Sequence, residues 1–87
     1  MTYYVIKFVW KDYRNFVQTT YAGYNYNMAD YNWGPSFYCD AEKFDSVEAA
    51  KNFYEKCSSY FKVPIEREDS SVYISKIVIN TEDVEKI

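Results

Sequence analysis

The sequence predicts an α+β fold: a four-stranded, mainly antiparallel sheet in the order β-β-β-α-β, with one amphipathic helix packed on one face. Three observations carry this. Residues 3–10 and 72–80 are runs of β-branched and aromatic side chains. A three- and four-residue hydrophobic period appears between residues 46 and 60. A chain of 87 residues suffices for one core and leaves too little for two. With 48% hydrophobic and 26% charged residues, and only 2 Gly and 2 Pro, the composition is that of a folded globule rather than a disordered chain. Residues 1–87 are therefore read as a single domain.

The elements follow in order. In the first strand Tyr4, Ile6, Phe8 and Trp10 alternate with Tyr3, Val5, Lys7 and Val9, so both faces are largely apolar, as in a central strand. Asp12 and Asn15 break the run with turn chemistry, and residues 16–21 resume it, which predicts a hairpin. Residues 23–35, dense in Asn and aromatics and bounded by Gly and Pro, read as a long loop. A third strand is expected over 36–43, where Phe37, Cys39 and Ala41 alternate with more polar neighbours. Asp45, Ser46, Val47 and Glu48 supply a helix start of the capping-box kind. Val47, Ala50, Phe53, Tyr54, Cys57 and Phe61 then mark the apolar stripe of a helix over 46–60. Pro64 should end it and hold Val63 extended. A charged connection over 66–71 leads to the last strand, and residues 81–87 add a helical turn or fray.

Several function classes are excluded by what is missing. The chain has no histidine, which removes the commonest general base and zinc ligand. Cys39 and Cys57 lack the CxxC spacing of a redox or zinc motif and read as buried, inert thiols in a reducing compartment. A net charge of −3 argues against nucleic-acid backbones and anionic lipid, and no apolar run is long enough to span a membrane. The expectation is a cytoplasmic, untargeted, non-enzymatic protein with no cofactor and no metal.

The distinctive figure is 22% aromatic, including 11 tyrosines. A helix of about 15 residues is about 22 Å long and about 10 Å across, whereas four strands spaced about 4.8 Å make a sheet nearly 20 Å wide. One helix thus leaves apolar sheet surface uncovered. The cover must come from residues 23–35 folding back, from a second copy, or from another protein. Within that loop Tyr24, Tyr26, Tyr31 and Trp33 are candidate anchors for a partner, with Asp30 and Asn32 fixing orientation. The competing reading is that these rings merely fasten the loop to the sheet. Glu66, Glu68 and Asp69, with Glu82 and Asp83, form a candidate acidic patch if the connection and the C-terminal tail meet. No carboxylate pair or calcium-loop spacing points to catalysis or metal binding.

The lead strand Tyr3-Tyr4-Val5-Ile6-Lys7-Phe8 and the run from Ala41 through Phe44, Asp45, Ser46 and Val47 to Phe53 resemble those of short acidic α+β proteins of bacteriophages and prophages. That group includes anti-CRISPR and other anti-defence inhibitors. The resemblance implies an inhibitor that occupies the surface of a host enzyme, and it transfers no site residue. The leading expectation is accordingly a protein-binding module whose partner is a host enzyme or complex, a second copy of itself, or both. The alternatives are a small-molecule binder or nucleotide sponge with an aromatic pocket, at a dimer seam or within one chain, and an acidic mimic of nucleic acid.

Overall fold

The computed structural model describes residues 1–67 and 69–86, and its class is α+β. Strands β1 (Thr2–Lys11), β2 (Val17–Tyr21) and β5 (Ser71–Val78) form an antiparallel sheet in the order β2-β1-β5, which makes β1 central as its two apolar faces require. The sheet thus has three strands, not four. Strands β3 (Gly23–Asn25) and β4 (Asp30–Asn32) form a separate two-stranded hairpin, so residues 23–35 are not a structureless loop.

The expected third strand over 36–43 does not form. Residues 35–44 instead run as a strap with a 3-10 turn at Tyr38–Asp40. The reason is that the β1 edge it would occupy is already taken. β2 pairs from Lys11↔Val17 to Lys7↔Tyr21, and the Ala22 amide continues to the Ile6 carbonyl at 3.1 Å. Beyond Ile6 the strap meets this edge at Tyr4, whose amide and carbonyl each bond Phe44 at 2.9 Å.

Helix α1 (Val47–Cys57) begins at Ser46, whose Oγ accepts the Ala49 amide at 3.0 Å. The cap is therefore Ser46 rather than Asp45, and Glu48 acts through the first-turn dipole instead of closing a capping box. Past Cys57 the chain tightens into a 3-10 turn at Ser58–Phe61 and a further helical turn, α2 (Lys62–Ile65). Pro64 does not stop the helical path. It sits within the first turn of α2, where no intrahelical amide is needed, and it is fully buried; Val63 is helical, not extended. Residues 79–86 hold no helix.

The two sheet faces are covered differently. On the helix face Ile6, Phe8 and Trp10 pack with Ala50 and Phe61, and the hairpin side adds Trp33. On the other face Tyr3 and Val5 are closed over by Ala41 of the strap, and the Lys43 ammonium lies 5.4 Å from the Tyr3 ring centre. The remainder of that face, with Val9, Tyr21 and Tyr73 around Lys7, is half-buried or exposed. The shortage of cover is thus met from within the chain on the helix face and only in part on the opposite one.

Candidate functional site

The hairpin β3–β4 is shaped by its asparagines. Asn25 Oδ1 accepts the amides of Asn27 at 2.9 Å and Met28 at 3.2 Å, an Asx turn that starts the connection. Ala29 then turns through the left-handed region at φ 52, and Tyr24 pairs with Tyr31. The hairpin is anchored at a three-way junction. Tyr21 donates its amide to the Pro35 carbonyl and Glu42 donates its own to the Ala22 carbonyl, each at 2.9 Å. Gly23 is required here, because a Cβ would stand 2.6 Å from Pro35 Cγ and 3.0 Å from the Asp40 carbonyl oxygen.

The predicted anchors divide into two groups. Trp33 meets Trp10 edge-on at 5.2 Å and Tyr31 meets Phe53 edge-on at 4.8 Å, so both are half-buried against the core side of α1 and the sheet. Burial pushes the Tyr31 phenol above its ordinary pKa, and the nearby Glu42 carboxylate adds to this. Tyr24, edge-on to both Tyr31 and Tyr26, lies between the core and water. Tyr26 is 87% exposed and Met28 beside it 70%. Rings therefore run in unbroken contact from Phe8 in the core through Phe61, Phe53, Tyr31 and Tyr24 to Tyr26 at the tip. Asp30 Oδ1 accepts the Tyr31 amide at 2.8 Å and Asn32 Oδ1 the Gly34 amide at 3.0 Å, so these acceptors are engaged in shaping the hairpin itself.

Two hollows flank the Tyr24–Tyr26 pair. One, of about 500 Å³, opens toward Asn27, Asn32, Pro35 and Asp40. The other, of about 330 Å³, reaches Cys39, Asp40, Glu42 and Lys43. Their charged lining is thus two carboxylates against one ammonium, a poor match for a phosphate. Met28 and Asp40, which the sequence does not single out, also border the tip, and Phe37, an aromatic neighbour of the predicted anchors, is 68% exposed on the strap rather than in a strand. The signal for the tip was present in Tyr24-Asn25-Tyr26-Asn27 and Asp30-Tyr31-Asn32, two period-2 stretches around a short polar turn.

Among the described residues the acidic candidates fall at the two ends of β5. Asp69 lies before β5, 3.8 Å from Lys11 and near Arg67, whereas Glu82 and Asp83 follow the other end of that strand. The eight residues of β5, about 25 Å of extended chain, stand between the two acidic runs. Glu66 borders Val63 and Arg67, and Glu68 lies outside the described residues. Cys39 is exposed and Cys57 half-buried, so the expectation of two buried thiols fails.

Among the described residues no group of three or more Cys, Asp or Glu side chains is arranged to hold a metal ion, and no helix is long and apolar enough to cross a membrane. No protein-family model matches the chain, and no curated protein or solved structure shows significant similarity to it.

Proposed function

We propose that this protein is a non-enzymatic binding module that acts by occupying a partner protein's surface with the tip of its aromatic hairpin, in the manner of a phage inhibitor of a host defence enzyme. The observation that carries the proposal is the exposure of Tyr26 and Met28 on a turn already fixed by Asn25, with the Tyr26 ring braced edge-on by Tyr24. A large ring held rigidly in water loses little freedom on binding, and this is the economy of a recognition anchor. Tyr26, Met28 and Phe37 are the contact residues on this reading. Tyr31 and Trp33 support them from beneath, and Asp30 and Asn32 set the hairpin's shape.

The test compares what wild type and a Tyr26→Ser/Met28→Ser variant retain from a lysate of the native host, with circular dichroism as the check on folding. The double variant is expected to unfold within about 0.5 kcal/mol of wild type, as exposed substitutions do, and to lose the partner that wild type holds. Trp33→Ala should instead lower stability by about 2 kcal/mol or more, because it opens a cavity beside Trp10. A folded double variant that retains the same partner as wild type would refute the site. The small-ligand alternative rests on the hollow of about 500 Å³ beside the same rings. It predicts a rise in melting temperature with some member of a nucleotide panel, whereas the binding-module reading predicts none.

A further inference from the structure

We propose that β5 is a dimerisation edge, through which a second copy of this chain continues the sheet across a two-fold axis at Ser75. The proposal is independent of the hairpin reading, since α1 stands between the two surfaces: Phe53 faces Tyr31 on one flank, while Lys51, Tyr54 and Glu55 border β5 on the other.

Among the described residues the outer side of β5 is unpaired. Its register with β1 runs without a bulge from Thr2↔Val78 to Val9↔Ser71, and among the described residues no other strand joins it. The Met1 and Ile79 backbones exchange bonds of 2.8 and 3.0 Å in both directions, which fixes the antiparallel alternation. Ile77, Ser75, Tyr73 and Ser71 therefore direct their amides and carbonyls to β1, and Val72, Ile74, Lys76 and Val78 direct theirs outward. The strand contains no proline, and Val72, Tyr73 and Val78 are exposed. The opposite edge is managed differently, with the Tyr21 amide of β2 already taken by Pro35. A long, straight, largely apolar edge of this kind is a template for another strand.

The side chains favour a second copy. With the axis at Ser75, Val72 faces Val78 of the second copy, Tyr73 faces Ile77 and Ile74 faces Lys76, while the small Ser75 meets itself where the two backbones lie closest. Aromatic and β-branched residues then stand opposite one another and no like charges do. An axis at Lys76 would set two ammonium groups face to face. A groove of about 350 Å³ between α1 and β5, floored by Ile6 and Ile74, carries Lys51 and Glu55. The axis at Ser75 brings Lys76 of the second copy opposite Ile74, which lines this groove together with Glu55, so a cation of one copy is offered a carboxylate of the other.

Sedimentation equilibrium of wild type over a wide concentration range should show twice the mass of one chain. Ser75→Lys and Ser75→Glu should each fall to a single-chain mass, and mixing them at low salt should restore the doubled mass, because each variant alone places like charges across the axis and the mixture places opposite ones. Amide exchange of Val72, Ile74, Lys76 and Val78 in wild type, followed as concentration rises, should slow by about an order of magnitude or more. That measurement keeps the proposal testable if a Ser75 variant fails to fold. A wild type that stays at single-chain mass, with these four amides exchanging freely at all concentrations, overturns the proposal. So does a dimer that both Ser75 variants leave intact.

Discussion

One carboxylate organises the first hairpin. Asp12 Oδ1 accepts the amides of Arg14 at 2.8 Å and Phe16 at 3.1 Å, while Oδ2 takes the Arg14 guanidinium and the Gln18 side-chain amide, each at 2.9 Å. Loss of water around the group pushes its pKa up, but these four donors outweigh that and hold it at about 2. A carboxyl more acidic when folded than when unfolded stabilises the fold above its unfolded pKa of about 4, and that contribution disappears as pH falls through the folded value. Asp12→Asn keeps the shape and one acceptor but removes the charge. Urea unfolding at a series of pH values should show the variant less stable than wild type at neutral pH, with the two curves converging toward about pH 2. Parallel curves down to that pH would mean the carboxylate does not carry the turn. The Asp12 and Asn15 turn signal was plain in the sequence, and Asn15 takes the left-handed φ of 69 that suits it.

Between elements the deciding feature is the junction of β2, the hairpin and the strap at residues 21–23. Gly23→Ala would drive a methyl group into Pro35 Cγ and against the Asp40 carbonyl. The expected cost is about 1–3 kcal/mol by chemical denaturation, as for other overpacked sites. Intrinsic tryptophan fluorescence should change with it, because Trp33 rests on Trp10 just beyond the same hairpin. An Ala variant as stable as wild type would show that the strap yields freely. This junction also explains which elements were legible in the sequence. β1, β2, β5 and α1 announced themselves because their period arises within the element, each side chain reporting its own face. The strap misled because Phe37, Cys39 and Ala41 alternate as a strand would, yet whether a strand forms depends on an open edge, and β2 had taken it. Residues 23–35 read as a loop in the sequence because the hairpin's strands have only three residues each and are held by distant partners. The same long-range packing turns Tyr31 and Trp33 inward, which no local pattern indicates, and leaves Tyr26 exposed at the tip.

At the scale of the whole molecule, the sheet face away from α1 is the one left only partly covered. The strap closes only the end around Tyr3 and Val5, leaving Val9, Tyr21 and Tyr73 around a single charged side chain, Lys7, in the middle of the central strand. The Lys7 ammonium sits 5.1 Å from the Tyr73 ring centre, so it is partly satisfied by that ring while its stem covers apolar surface. A charge at this position does little for packing, and its physical role is to break an apolar stripe that would otherwise cross all three strands. Lys7→Leu should accordingly unfold at the same or a higher urea concentration than wild type, since it adds apolar contact with Tyr21 and Tyr73 across the strands. Light scattering should nevertheless show larger particles that grow with protein concentration and with salt, and a hydrophobic dye should bind more strongly. Open-ended association is the expected outcome, because an uninterrupted apolar face has no self-limiting register. If Lys7→Leu is destabilised and remains as well dispersed as wild type, then the face is already dry and Lys7 is held there by its contact with Tyr73 rather than by the need to interrupt an exposed apolar surface.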